Sequence, residues 1–458
     1  MIVDLELVPA CPDKVQIIFR NCPLHSLVLP LNDPGVGDFI FRTIMNNVTL
    51  FGLPAEKGRW ILIPLGIVVL LCLGTVYSWS IFRKPLESLL NVGATESLLP
   101  FTVLLVVFAV LMPITGFYID RFGARLVTAI GGIITGLGYI LSSLDGNITW
   151  LVITYGVIAG AGIGIVYGVP LAVAAKWFPD KKGIAIGTTV IGFGLSPLIT
   201  APIAKNLIDD YGVRQTFVIL GIAFTLITVA IATLLKMPPV GWTPRGWTPP
   251  ARVTTATQDA PMMSTQSFYG LWICYTIGTF VGLAAIGISS PVAQEIIKLD
   301  RGTAAATVSL FAIFNGFGRP LFGWISDRFS PKTAAMISYA LILIASILMI
   351  NAQAGQVATY LIAFCLFWLC LGGWLAIAPT TTAAFFGTES YAKNYGIVFT
   401  AYGVGAVLGT VLAGRIKDVL GSYTFFFYPT AGLAIVGIVL ATFLMRRSAT
   451  TLPSTARS

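Results

Sequence analysis

Gly116-Phe117-Tyr118-Ile119-Asp120-Arg121 recurs 207 residues later as Gly323-Trp324-Ile325-Ser326-Asp327-Arg328. Further on, Gly187, Gly194, Asp209, Gly212 and Phe217 recur as Gly396, Gly403, Asp418, Gly421 and Phe426, all at an offset of 209. Matches held at one offset mark a chain built from two related halves, and such a repeat sets the architecture before any single segment is read. The chain has 458 residues, 56% hydrophobic and 10% charged, with a mean hydropathy of +0.87. Soluble domains carry about 25% charged residues. The composition is that of a polytopic membrane protein.

From Trp60 onward twelve apolar segments can cross a bilayer as helices: 60–82, 99–119, 126–144, 149–175, 183–206, 215–237, 267–290, 304–326, 332–351, 356–381, 395–415 and 423–445. The expected fold is all-α, with twelve transmembrane helices in two pseudo-symmetric six-helix bundles, 59–237 and 267–447. A polar, proline-rich cytoplasmic linker, 238–266, joins them, and 448–458 is a cytoplasmic tail. The linker holds a tandem, Gly241-Trp242-Thr243-Pro244 then Gly246-Trp247-Thr248-Pro249, read as linker with its tryptophans resting at the membrane interface. Residues 1–58 form an N-terminal cytoplasmic extension without sustained period. Residues 1–44 are either disordered or a mis-assigned start, since Met45 precedes the basic lead Lys57-Gly58-Arg59 into the first span. With both termini cytoplasmic, inside segments from Lys57 onward hold 16 Lys or Arg and outside segments eight. That bias fits the positive-inside rule and a multi-pass protein of the cell membrane.

The net charge of +9 does not indicate nucleic acid, because the basic residues fall in short loops rather than on one soluble face. The six cysteines have no metal-ligand spacing, and the only histidine is His25 in the tail. No metal, no cofactor and no catalytic site is expected. Hydrolysis inside the spans would require a His/Ser/Asp, paired-carboxylate or metal constellation, which the spans do not contain.

One span is chemically unusual. Between Ala304 and Ser326, otherwise apolar or small, stand Asn315 and Arg319. Arg319 lies eight residues before Asp327, or about 12 Å inside the membrane at about 1.5 Å per residue. A guanidinium there persists only beside a polar cavity or an anion. Asn315, at i−4, shares its helix face. Arginine keeps its charge and offers a planar fork that matches a carboxylate. The span therefore reads as an anion site in a transport cavity, against the blander reading of an arginine paired with a buried acid.

Gly116-x-x-x-Asp120-Arg121-Phe122-Gly123-Ala124-Arg125, with its copy at Asp327 and Arg328, resembles the signature loop of the major facilitator superfamily. The resemblance implies a role in gating and conformational stability. A narrower likeness rests on Gly160-Ala161-Gly162-Ile163-Gly164-Ile165-Val166-Tyr167-Gly168 and on Lys176-Trp177-Phe178-Pro179-Asp180-Lys181-Lys182-Gly183. Tyr77-Ser78-Trp79, Phe314-Asn315-Gly316 with Arg319-Pro320, and Asn394-Tyr395-Gly396 add to it. Together they resemble the oxalate/formate antiporter and monocarboxylate transporter group, over about Trp60 to Arg447.

The resemblance implies that Arg319 binds the carboxylate with Asn315 as its partner, and that Tyr77 and Tyr167 line the cavity. The oxalate transporter's second cation, a lysine, falls on Tyr402, and its aromatic cage in span ten falls on Leu371 and Leu375. Trp374 stands at a different angle. One cation balances one carboxylate, so the departures point to a monoanion such as lactate, pyruvate or formate. Tyr402 is read as pocket lining, because its hydroxyl can donate to a carboxylate. Trp374 and Tyr275 are further candidates, with core packing or interfacial anchoring the competing reading for the aromatics. Glu295 and Asp300 are weighed as proton carriers against solvated loop charges. The expected function is transport of a small carboxylate anion by alternating access, coupled to a proton, with the lipid bilayer as the protein's solvent. Oxalate/formate exchange is the nearest alternative. A non-transporting membrane sensor of the same fold is the alternative of a different class.

Overall fold

The computed structural model describes residues 4–11, 14–20, 26–30, 48–144, 146–239, 242–245, 247, 262–387 and 391–445. Ahead of Val48 these are strands: β1 (Asp4–Cys11), β2 (Lys14–Arg20) and β3 (Ser26–Pro30), antiparallel in the order β1-β2-β3, with Asp4 opposite Arg20. Sequence analysis assigned no secondary structure there, although Val15 to Phe19 is rich in the β-branched and aromatic residues that favour strands. A two-residue-per-strand hairpin, β4 (Thr49–Leu50) and β5 (Leu53–Pro54), leads into the helices. The C-terminal tail and linker residues 248–261 lie outside the described residues.

Helix α1 covers Ala55–Leu90. Helices α2 and α3 are the two legs of Ala94–Leu141, parted at Gly123, whose φ of 78° and ψ of 158° are not helical. Helix α4 is Ile148–Trp177, widened to a π-type turn over Val152–Ala159. Helices α5 and α6 are the legs of Lys182–Leu234 on either side of Gly212. The second half holds α7 (Gln266–Glu295), α8 (Arg301–Arg328), α9 (Pro331–Ile350), α10 (Val357–Phe386), α11 (Tyr391–Leu420) and α12 (Tyr423–Leu444). Ten helical segments among the described residues are long and apolar enough to cross a membrane. That tally takes α5 and α6 as one run and leaves out α8, the helix with Arg319. Each of the twelve spans read from the sequence coincides with a helical leg.

The repeat has a backbone counterpart. Gly212 and Gly421, paired at the 209-residue offset, turn the chain out of α5 and out of α11 with φ of 78° and 74°. Residues with a Cβ rarely adopt that region. Capping fixes other helix starts, with Asn147, Thr265, Asp300 and Ser330 side chains accepting from first-turn amides. Helix α7 is the most enclosed, with 89% of its apolar window buried, whereas α12 shows 28% and faces outward. Helix α8 presses on α10 so closely that a Cβ at Gly372 would collide with the Asn315 carbonyl, and one at Gly318 with that of Leu369. Small residues allow this approach between membrane helices, and it sets the height of Asn315 and Arg319. Below, the linker end is the side where α6 joins α7, and the far end is the opposite side.

Candidate functional site

Arg319 is buried, 4% exposed, and reaches out of the second half: its Nη1 donates to the Val190 carbonyl on α5 at 2.8 Å. Nε and Nη2 have no hydrogen-bond partner, and among the described residues no carboxylate is ion-paired with it. The structural alternative weighed above, an arginine clasped by a buried acid, is not what these residues form. Asn315 is fully buried, and its Nδ2 donates to the Trp368 carbonyl at 3.1 Å. A carbonyl can only accept, so this bond fixes the amide and leaves Oδ1 as the free side. Oδ1 is also unpartnered.

Opposite both stands Gly194 of α5. A Cβ built there would lie 2.7 Å from Asn315 Oδ1 and 3.2 Å from Arg319 Nε. The missing side chain lets α5 pack directly over the free Nε donor and the free Oδ1 acceptor, with the Gly316 Cα also 3.2 Å from that position. Gly194 was picked out by sequence only as a repeat match, and its place here is a further result of the structure.

The predicted aromatics converge on the same level. Tyr77 (α1) and Tyr402 (α11) bring their hydroxyls to 3.0 Å across the two halves. Tyr77, Tyr167 and Tyr402 all lie within electrostatic reach of the Arg319 guanidinium. Phe108 and Phe193 fill between them: Phe108 is 5.0 Å from Tyr167 and 5.8 Å from Tyr402, and Phe193 is 5.1 Å from both Tyr77 and Tyr167. Phe399 stacks on Tyr402 at 5.0 Å. Tyr275 and Trp374 stand one ring further out, stacked at 6.1 Å, with Tyr275 6.4 Å from Phe399. Trp374 turns towards Tyr339 at 5.3 Å. Both are buried, with Tyr275 Oη and Trp374 Nε1 unpartnered.

Span ten needs a correction. Leu371 and Leu375 were read as leaving its pocket face without an aromatic. Trp368 stands three and seven residues before them, one turn away on that face. Its ring is 6.4 Å from Tyr77, and its carbonyl holds Asn315. The i, i+3, i+7 spacing was the signal that could have found it. A crevice of about 310 Å³ opens beside the cluster between α2 and α11, lined by Val106, Val110, Val404 and Val407 among others. Its walls carry no charge, so it does not compete for an anion.

The signature loop contributes elsewhere. Arg125 Nε donates to the Leu235 carbonyl, tying α3 to the end of α6 within one half. Arg121, Asp327 and Arg328 are exposed. The surroundings of Gly116 and the side chain of Asp120 lie outside the described residues.

At the far end, charges read from sequence as outside loop residues turn out to join the halves. Arg83 is fully buried and donates to Ser97 and Glu87 in its own half and to the Gly287 carbonyl and Tyr423 hydroxyl in the other. Glu295 is clasped by Lys84 of the first half and Lys417 of the second. Asp209 pairs with Arg301 at 3.2 Å, and Asp418 accepts from the Ala94 and Thr95 amides at 2.8 and 2.9 Å. Asp209 and Asp418 are repeat mates, and so are the starts of α8 and α2, Arg301 and Ala94, 207 apart. Of the two acids weighed as proton carriers, Glu295 is thus committed to two lysines. Asp300 caps α8, and the hydrogen bond from Thr303 holds its carboxyl below the usual range.

A family model for the Major Facilitator Superfamily matches residues 65–285 and 271–457. The oxalate:formate antiporter of Oxalobacter formigenes is 30% identical over 395 residues, covering 85% of this chain and 92% of that one. Monocarboxylate transporter 13 of Bos taurus is 26% identical over 323 residues, covering 69% of this chain and 72% of that one. Among solved structures, a bacterial homolog of the human lysosomal transporter Spinster, in an inward-facing and occupied conformation, superposes with a TM-score of 0.64. It covers 85% of this chain and 97% of its own length at 15% identity, a likeness of fold alone.

Proposed function

We propose that this chain, which belongs to the major facilitator superfamily, carries a small monocarboxylate of the lactate, pyruvate or formate kind by alternating access. The observation that carries the reading is Arg319, buried between the halves with Nε and Nη2 unpaired, and with Asn315 Oδ1 unpartnered on the same helix face. Two parallel N–H groups match one carboxylate. The Tyr77–Tyr402 pair shares one hydroxyl proton between the two oxygens, which leaves the other proton to donate to the ligand. Aromatic walls accept a short organic body. The far-end contacts would part when the halves rock, exposing the site to the other side. A monoanion neutralises Arg319, and a proton carried in the same cycle makes net transport of the acid electrically silent.

Exchange of oxalate for formate is the second reading, favoured by the 30% identity to a protein of that name. Against it stands Tyr402 at the position where the resemblance implies a lysine. A dianion would then face one cation.

The test is binding of labelled lactate, pyruvate, formate and oxalate to purified wild type and Arg319→Lys. Lysine keeps the charge and loses the fork. Monocarboxylate affinity should fall about tenfold or more, since hydrogen bonds to charged groups are worth ~1.5–3 kcal/mol. Unchanged affinity would remove Arg319 from the site. Uptake driven by a pH gradient, set against counterflow without one, separates symport from exchange in the same vesicles.

A further inference from the structure

The linker repeat reads Pro239-Val240-Gly241-Trp242-Thr243 and then Pro244-Arg245-Gly246-Trp247-Thr248, the same five-residue pattern twice. The described backbone repeats too. The Trp242 amide donates to the Pro239 carbonyl at 3.1 Å, and the Trp247 amide to the Pro244 carbonyl at 3.2 Å, so each copy closes a four-residue turn. Sequence analysis placed these tryptophans at the membrane interface. Trp242 is instead 5% exposed and seated in protein. Its ring meets Trp177 edge-on at 4.8 Å, and the Arg59 guanidinium lies 6.0 Å from its centroid.

The socket around Trp242 is held by contacts of its own. Arg59 is held in a fork by both oxygens of Asp180, at 2.6 and 2.8 Å, donates to the Trp177 carbonyl, and covers Phe178. Trp177 Nε1 donates to the Lys236 carbonyl. A fixed cation beside an aromatic wall is a receptor for one more indole. The second copy has the same indole on the same turn, five residues on, and Trp247 is only half-buried.

We infer that the linker-end face formed by Arg59, Trp177 and Phe178 is a docking site for the Pro-x-Gly-Trp-Thr turn, and that either copy fills it, so the linker holds the first half in two registers. Docking Trp247 lengthens the loop after Leu234 from eight residues to 13. Loop closure weakens as about the 3/2 power of length, which disfavours the second register only about twofold. The register change also releases the Arg245–Glu56 contact, which is 61% exposed on the arginine side and contributes little. Tethered beside the socket, the spare copy acts as a ligand at high effective concentration. It shortens the free chain from the docked tryptophan to Thr265 from 23 residues to 18.

The test uses the full-length protein in lipid vesicles with the native cysteines replaced, comparing Trp242→Ala, Trp247→Ala and the double variant. Thermal stability should stay within about 1 °C of wild type in each single variant and drop by several degrees in the double. A cysteine at Pro249, whose counterpart Pro244 is buried in the docked copy, should react with a maleimide severalfold more slowly once Trp242→Ala lets the second copy dock. Two results would overturn the inference. One is Trp242→Ala losing as much stability as the double variant with Pro249→Cys labelling unchanged. The other is a double variant as stable as wild type.

Discussion

A guanidinium within a membrane span costs about 2.5–3.5 kcal/mol on insertion scales even before its partners are counted. Arg319 offsets this with a single bond to a backbone carbonyl, leaving Nε and Nη2 without a partner. Gly194 is what lets α5 pack directly over that arginine. In Gly194→Ala the methyl would crowd Asn315 Oδ1 and Arg319 Nε, and overpacking of this kind costs ~1–3 kcal/mol. Carboxylate affinity should fall about tenfold by equilibrium binding, and the detergent-solubilised protein should lose a few degrees of thermal stability. An unchanged affinity would mean the ligand sits elsewhere. Tyr402→Lys makes the converse test, by placing a second cation beside the site. In competition binding, oxalate should gain at least tenfold over formate, and a constant ratio would separate Tyr402 from anion selection. Arg319 and Asn315 were legible because two polar groups in an apolar span are conspicuous at any helix phase. Trp368 was not, because one more aromatic in an apolar run is visible as lining only when the helix face is known.

Among the elements, the far ends of the helices carry the contacts between halves. Asp418 accepts from the first-turn amides of α2, groups that no helix can satisfy internally, and its charge faces the positive end of the helix dipole. Asp209 and Arg301 make the related contact at the start of α8. Asp418→Asn keeps the shape and removes the charge, so the α2 contact should weaken and the far end should open more often. A single cysteine at Ser290, buried near the far end of α7, would then label severalfold faster with a membrane-impermeant maleimide. An unaltered rate would show that the charge does not hold this end shut. The 209-residue repeat pointed to these acids, whereas Arg83 escaped because α1 runs on to Leu90, beyond the end expected at 82. Helix ends depend on far-side partners such as Ser97 and Tyr423 that the local pattern does not contain.

At the scale of the whole molecule, the internal repeat was enough to expect two bundles with the candidate site between them, since the duplicated glycines and aspartates recur in order. What the repeat does not carry is the asymmetry of charge: one half brings Arg319, the other a carbonyl and a glycine packed against it. That asymmetry has a kinetic consequence for the proposed cycle. Loaded with a monoanion, the central site is neutral and can change sides with no net charge. Empty, it moves an unpaired guanidinium through the same rearrangement, and every 1.4 kcal/mol of extra barrier slows that step about tenfold. The empty return should therefore limit net transport. Vesicles preloaded with unlabelled substrate should take up labelled substrate about tenfold faster than empty vesicles. The excess should vanish in Arg319→Gln, whose empty site carries no charge, in whatever activity that variant retains. Equal rates with and without internal substrate in the wild type would mean that the arginine's charge is met by another group on the return journey, and the one-cation account of the cycle would fail.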